Sequence, residues 1–257
     1  MFLLDAINSR ISIRKFLDVP IEKNKLTDLN ELIQQYNQNP GIRFELINNE
    51  TAFSTFTESY GSFENVKNFI VAIKETGNNK AEEKLGYFGE LLVLHAVSFG
   101  LGTCWVGVRD NLKGLEYYDL IPDEFKNSKN PTVDLMENEE ICCLIALGVT
   151  DLDLETQKSL NAKRKSKSYD EIAYTTSHSH IAPDWFKDSI AAVLKAPSVF
   201  NAQPIKFVFD NNTIFAEIVD KDVVMSNLDL GIAKLHFEIG ANGGTWQWGD
   251  RGTFIKE

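Results

Sequence analysis

Leu91-Leu92-Val93-Leu94-His95-Ala96-Val97-Ser98-Phe99-Gly100-Leu101-Gly102-Thr103-Cys104-Trp105-Val106-Gly107-Val108 is an uncharged run of 18 residues, and its reading decides the fold. The length alone would suit a membrane span. Gly100 and Gly102 interrupt the run, however, and His95 and Thr103 lie within it, so a buried helix followed by a turn and a strand is the better account. The helix spans Ala81 to Phe99. Its centre is apolar on every side (Leu85, Phe88, Leu91, Leu92, Leu94, Ala96), so it must be enclosed by protein all round. Gly100-Leu101-Gly102 supplies the left-handed residue that closes helices, and Thr103 to Val106 reads as a strand.

Outward from this centre, helices and strands are mixed in both directions. Before it come an amphipathic start with Phe2, Leu3, Ala6 and Ile7, a helix over Lys25 to Gln38, and strands at Arg43 to Ile47 and Phe69 to Ile73. After it come the strand Ile141 to Leu147 and a polar, charge-rich segment, Thr150 to His180, which reads as a surface connection. Beyond lie the helix Trp185 to Lys195, strands Ile205 to Phe209 and Thr213 to Val219 around the turn Asp210-Asn211-Asn212, and the helix Leu228 to Ala241. The pattern is that of an α+β protein.

With 257 residues, 43% of them hydrophobic and 25% charged, the chain has the composition of a soluble globule able to bury a large core. Its net charge of −11 repels a phosphate backbone, so no nucleic-acid partner is expected, and any bound anion needs a local basic pocket. Cys104, Cys142 and Cys143 make neither a disulfide framework nor a metal knuckle, which fits a reducing compartment. The stretch MFLLDAINSR carries Asp5 and no basic flank, so it does not read as a signal peptide. A cytoplasmic location without membrane attachment is the expectation.

An internal repeat organises the chain. Arg43-Phe44-Glu45-Leu46-Ile47-Asn48-Asn49 resembles Lys206-Phe207-Val208-Phe209-Asp210-Asn211-Asn212, each with a proline shortly before it, Pro40 and Pro204. Leu85-Gly86 opens a helix that ends in Gly102-Thr103-Cys104-Trp105, and Leu230-Gly231 opens one that ends in Gly244-Thr245-Trp246. The expected organisation is a first half over 1–160, a basic connecting segment over 161–183, and a second, shortened half over 184–257.

Three stretches could carry chemistry. Arg10-Ile11-Ser12-Ile13-Arg14-Lys15-Phe16 alternates, so in extended form Arg10, Ser12 and Arg14 face one way while Ile11, Ile13 and Phe16 face the core. The outer arginines then stand about 13 Å apart, at roughly 3.3 Å per residue. That length suits a ribityl-phosphate tail, and the guanidinium fork matches phosphate oxygens. An amphipathic edge strand with solvated arginines would show the same pattern. Ala196-Pro197-Ser198-Val199-Phe200-Asn201-Ala202-Gln203-Pro204 is an ordered loop whose Ser, Asn and Gln could read the edge of a planar heterocycle, or merely connect a helix to a strand. Gly100 to Val108 fits neither the dinucleotide fingerprint nor the P-loop, since it leaves a helix and enters a strand, but Gly107 permits close backbone approach to a flat ligand.

Other candidates are weaker. Lys163-Arg164-Lys165-Ser166-Lys167 reads as a solvated charged loop or as a phosphate-holding segment. His178 and His180 flank Ser179, but nothing is spaced to complete a metal site, and no metal is expected. His95 and His236 read as satisfied core residues. No nucleophile elbow occurs.

Together, the Arg10 to Phe16 segment, the Ala196 to Pro204 loop and the Gly100 to Gly107 strand resemble the FMN-dependent nitroreductase superfamily over most of the chain. In that family a homodimer builds flavin sites at its interface, one subunit supplying the arginine segment and the glycine-rich strand, the other the proline loop. Here the first repeat keeps the arginine motif but has Gln38-Asn39-Pro40-Gly41 where the loop belongs, while the second keeps the loop without the arginines. The resemblance is therefore to the single-chain, duplicated branch: mixed and antiparallel sheets flanked by helices, a pseudo-dimer with one FMN at the interface between its halves. It implies that Arg10, Ser12 and Arg14 take the phosphate and ribityl chain, and that Pro197, Ser198, Asn201 and Gln203 surround the ring. Val106 and Gly107 would give backbone contacts near the reactive edge, with Arg164 and Lys165 near the phosphate. Ile11, Ile205 and Val108 depart from the residues usual in the family, which bears on substrate preference.

The implied activity is a ping-pong oxidoreduction in which NAD(P)H reduces FMN and a small nitroaromatic or quinone-like acceptor reoxidises it. No catalytic side chain is required. A protein that stores or senses flavin without turnover is the alternative. The pseudo-dimer is expected as a monomeric chain.

Overall fold

The computed structural model describes residues 2–48, 63–107, 133–176, 182–210 and 213–256. The chain forms two compact units, each assembled from separate stretches. One comprises Met1–Ser9, Asn79–Leu91 and Lys158–Glu257; the other comprises Arg10–Asn78 and Leu92–Gln157.

In the second of these, helix α2 (Lys23–Tyr36) buries Leu29, Ile33 and Tyr36, spaced four and three apart on one face. Strands β1 (Ile42–Asn48), β2 (Asn68–Glu75), β3 (Leu101–Gly107) and β4 (Glu139–Val149) form an antiparallel sheet in the order β1-β2-β4-β3. The interior strand β2 is buried from Asn68 to Lys74, so both its faces are covered. On one face Phe69, Val71 and Ile73 pack with Cys104, Val106, Leu144 and Ala146, and Ile13 and Phe16 close over them. Phe16 fits because Gly148 has no side chain; a Cβ there would stand 2.5 Å from the Phe16 Cγ.

The other unit contains α1 (Leu3–Ser9) and the first part of α3 (Asn79–Ser98). It continues through α4 (Leu154–Ala162, from Lys158 on), α5 (Tyr169–Ile172), β5 (Ala173–Thr175), α6 (Asp184–Val193), β6 (Ile205–Asp210) and β7 (Thr213–Ile218). The chain ends with α7 (Ser226–Gly240), β8 (Thr245–Trp246) and β9 (Thr253–Ile255). Its sheet has the order β5-β6-β7-β9-β8, with β5 parallel to β6 and every other pair antiparallel. The core is aromatic: Phe237 stacks on Phe207 at 4.9 Å and meets Phe186, Trp246 and Phe254 edge-on.

The duplication is visible in the topology. Helix, two strands, helix, two strands occurs twice, as α2-β1-β2-α3-β3-β4 and α6-β6-β7-α7-β8-β9. The corresponding strands line up in the same order, β1-β2-β4-β3 and β6-β7-β9-β8, with the same antiparallel pairing. As expected, no residue of α3 from Ala81 onward is exposed.

Several expectations change. Gly86 and Gly231 lie well inside α3 and α7, which begin at Asn79 and Ser226, rather than opening them. Thr150 to His180 is not a plain connection: Asp153 Oδ1 accepts the Thr156 N–H at 2.7 Å to start α4, and Ser168 with Glu171 forms a capping box for α5. Arg10 is buried rather than offered at an open edge, and His95 is only half-buried. His178, His180, Val108 and the Asn211-Asn212 turn lie outside the described residues. No described helix is long and apolar enough to cross a membrane.

Candidate functional site

The arginine segment and the glycine-rich strand meet. Ser12 forms a parallel bridge with Thr103 of β3, and the Ile13 N–H donates to the Thr103 carbonyl at 2.9 Å. Because Ile13 and Phe16 are locked into the core, the register of the segment is fixed, and Ser12 and Arg14 project outward. The Arg14 carbonyl accepts the Glu64 N–H at 2.9 Å, while the Arg14 guanidinium makes no hydrogen bond or ion pair with the described residues, leaving its fork available to an anion. The segment is not a regular strand; Ser12 and Lys15 form isolated bridges only.

Arg10, Ser12 and Arg14 all act on Cys104. Burial pushes its thiol up, against the pull of Arg14, Arg10 and a hydrogen bond with Ser12. The thiol therefore stays protonated, and a nucleophilic thiolate is not what this cluster makes. Its usable chemistry is cationic and hydrogen-bond donating. Val106 is fully buried, backbone included. β3 is the terminal strand of its sheet, and the Thr103 carbonyl faces away from β4; the backbone groups of Gly107, four residues on, face the same way and can be offered outward, whereas those of Val106 face β4.

Of the seven non-glycine residues with positive φ among the described residues, three lie in the proline loop. Phe200, Asn201 and Gln203 have φ of 52°, 56° and 48°, a left-handed conformation that costs non-glycine residues energy. Such strain persists only when surrounding bonds over-determine it. The Ser198 hydroxyl accepts the Gln203 N–H at 2.9 Å, and Asn201 Nδ2 donates to the Lys165 carbonyl at 2.9 Å. Lys167 Nζ donates to the Gln203 carbonyl at 2.8 Å, and the Lys167 N–H donates to Gln203 Oε1 at 3.1 Å. Arg164 donates to the carbonyls of Lys195 at 2.5 Å and Ala196 at 2.6 Å and to Asn201 Oδ1 at 3.2 Å. The basic run is thus largely a brace for the loop; Lys165 keeps an exposed side chain.

Beneath the loop lies a shallow, open hollow bordered by Pro197, Ser198, Gln203, Ile205, Ala233 and Asp229. Sequence reading passed over Asp229, although its setting, Leu228-Asp229-Leu230, put a carboxyl in an apolar run. It is buried, and its two oxygens accept the Val199 N–H at 3.0 and 3.3 Å. Burial pushes its pKa up to about 8, the Val199 bond pulls the other way, and Glu82 raises it further.

A raised carboxyl pKa makes the folded state bind its proton more tightly than the unfolded chain, so stability is highest at low pH. The contribution should fall by about 1.4 kcal/mol per pH unit between about pH 4 and pH 8 and level off above. Asp229→Asn should remove that slope. Denaturation of both proteins at pH 5, 6.5 and 8 checks it, and a stability difference that stays constant with pH would refute it.

The fold is that of an α+β nitroreductase-like protein with an internally duplicated framework. The family model described as Putative TM nitroreductase matches residues 3–121 and 123–241, and the chain belongs to that family. Among solved structures, a putative nitroreductase from Thermotoga maritima is 18% identical and covers 100% of this chain and 94% of its own, with a TM-score of 0.64. A nitroreductase family protein from Clostridium difficile 630 is 16% identical over 70% of this chain and 100% of its own, at 0.50. An FMN-dependent nitroreductase from Clostridium difficile R20291 is 22% identical over 66% of this chain and 94% of its own, at 0.47. None of the curated proteins matches the chain. Among the described residues no three His, Cys, Asp or Glu side chains group as metal ligands.

Proposed function

We propose that the chain is an FMN-dependent oxidoreductase that takes electrons from NAD(P)H and passes them, in a ping-pong cycle, to a small nitroaromatic or quinone-like acceptor. One FMN per chain is the expected complement. The observation that carries this reading is the loop at Ser198 to Gln203: three left-handed non-glycine residues, held by bonds from the basic run and from Asp229, are the mark of a binding element. When bound, FMN supplies the hydride chemistry at N5, and the protein supplies position and electrostatics.

The donor set fits the cofactor. Arg14, with Arg10 behind it, offers guanidinium donors and positive charge to the phosphate, and the Ser12 hydroxyl reaches the ribityl chain. Pro197, Ser198, Asn201 and Gln203 orient the ring, Asn201 and Gln203 being themselves held so that little ordering entropy remains to be lost. Gly107 contributes a backbone N–H where charge builds on the ring, and the buried Val106 fixes the strand beside it. Lys165 adds a cation for the phosphate, and Arg164 serves the cofactor through the loop it braces. The two halves are 1–160 and 184–257, joined by 161–183.

Purified protein should be yellow and should bleach under NADH or NADPH without oxygen. Bound flavin that neither nicotinamide reduces would mean storage or sensing, and colourless protein that takes up no FMN would end the proposal. Arg10→Ala should weaken FMN binding at least tenfold, measured by flavin fluorescence; unchanged affinity removes the phosphate assignment.

A further inference from the structure

Asp229 sits on the first turn of α7, directly behind the loop, and bonds to the backbone N–H of Val199, the residue just before the left-handed pair Phe200 and Asn201. A carboxyl on a rigid helix is a fixed point. Many of the other bonds that shape the loop come from the basic run or from within the loop itself, both of which are irregular chain. Asp229 ties the loop's centre to a core helix, and it does so from the wall of the hollow under Ser198 and Gln203.

The repeat supplies independent support. Gly86 and Gly231 occupy equivalent places, 145 residues apart, and the same spacing sets Lys84 opposite Asp229. The first repeat has Gln38-Asn39-Pro40-Gly41 in place of the loop, and at the equivalent of Asp229 it carries a lysine, which cannot accept a backbone N–H. Loop and anchor are lost together in one copy and kept together in the other.

We propose that Asp229 is a positioning residue for the flavin ring: by accepting the Val199 N–H it holds the Ser198 to Gln203 loop in its ring-binding shape without touching the cofactor. This rests on the FMN reading above. Asp229 acts on the ring end and not on the phosphate, so its removal should weaken riboflavin and FMN alike. Arg14→Ala should weaken FMN alone.

The test is equilibrium binding of FMN and of riboflavin to wild type, Asp229→Leu, Asp229→Asn and Arg14→Ala, with hydrogen exchange at the Val199 amide in the unliganded proteins. Asp229→Leu, which keeps the shape but accepts no hydrogen bond, should raise Kd for both flavins about tenfold and unprotect Val199. Asp229→Asn, which retains an acceptor oxygen, should bind both within about threefold of wild type and keep the protection. If Asp229→Leu does not fold, Asp229→Asn and wild type decide: a Val199 amide that exchanges in wild type as fast as in an unstructured peptide overturns the proposal. Wild-type binding of both flavins with Asp229→Leu unchanged, or losing FMN alone, overturns the Asp229 assignment only. Wild type that binds neither flavin overturns the functional reading, and this proposal with it.

Discussion

Gly231→Ala should cost about 3 kcal/mol and lower the thermal midpoint by roughly 10 °C, although alanine is the better helix former by about 1 kcal/mol. The reason is steric. A Cβ at Gly231 would overlap the Glu83 carbonyl oxygen and lie 2.7 Å from the Tyr87 nitrogen, and both are backbone atoms of a helix that cannot turn aside. Gly86 is placed identically: its Cβ would overlap the Leu228 carbonyl oxygen and stand 2.9 Å from the carbon. Glu83 and Leu228 are separated by the same 145 residues as Gly86 and Gly231, so the two clashes are one contact seen twice, as in a two-fold interface between like subunits. Gly86→Ala should therefore cost a similar amount, and the double variant clearly less than the two together, because one outward shift of α3 from α7 relieves both overlaps. Gly100→Ala is the control: its φ is 79° but a Cβ there meets nothing within 4 Å, so only the left-handed backbone penalty of about 1–2 kcal/mol applies. Equal costs at Gly100 and Gly231, or strict additivity of the Gly86 and Gly231 changes, would show that the helices do not cross in this way.

That crossing also marks where sequence stops being informative. Periodicity placed the helices and strands within a few residues, because Leu29, Ile33 and Tyr36, or Phe69, Val71 and Ile73, announce their buried faces locally. The Leu-Gly pairs and the Gly-Thr-Cys-Trp and Gly-Thr-Trp endings exposed the duplication, and the proline loop was recognisable from its own residues. Burial of charge was not. Glu83, Glu90, Asp229 and Lys234 stand on helices, where charged residues ordinarily mean a solvated face, and their partners lie far away in sequence: Lys234 is 151 residues from Glu83, and His236 is 146 from Glu90. No local pattern signals that Arg10 turns inward, or that Arg164 serves carbonyls at Lys195 and Ala196. A short polar helix such as α4 escaped for the related reason that its inward residues, Gln157 and Asn161, are polar. Hydrophobic periodicity reports apolar burial only. The candidate site was thus legible as a set of donors, while the bonds that shape it were not.

The most severe of the hidden charges to disturb is Lys234, and Lys234→Met should destabilise the protein by about 3–5 kcal/mol. Its ammonium is fully buried and spends its three donors on Glu83 Oε1 at 2.6 Å and the carbonyls of Gln247 at 2.9 Å and Gly249 at 3.0 Å. Glu83 uses its second oxygen to accept the Gly249 N–H at 2.5 Å, so the pair pins the Gln247 to Gly249 turn to α3 and α7. Methionine fills similar space but leaves a buried carboxylate with one neutral donor and takes a donor from two carbonyls, of which that of Gly249 still accepts the Gly252 N–H. Burial already pushes the Glu83 carboxyl up and the Lys234 ammonium down, so the wild-type pair holds its charges only against desolvation. With the lysine gone, the largest lowering influence on Glu83 disappears, leaving the Gly249 bond and Lys80, and its carboxyl should take up a proton. A folded-state pKa raised above the unfolded value means that stability falls as pH rises, so Lys234→Met should recover stability when pH is lowered from 8 towards 5. Glu83→Leu combined with Lys234→Met should be more stable than Lys234→Met alone at pH 8 and should lack that pH dependence, because it removes the orphaned charge. Denaturant titrations of the three proteins at both pH values check this; a Lys234→Met protein within 1 kcal/mol of wild type at pH 8 would mean that the buried pair is not what fastens the turn.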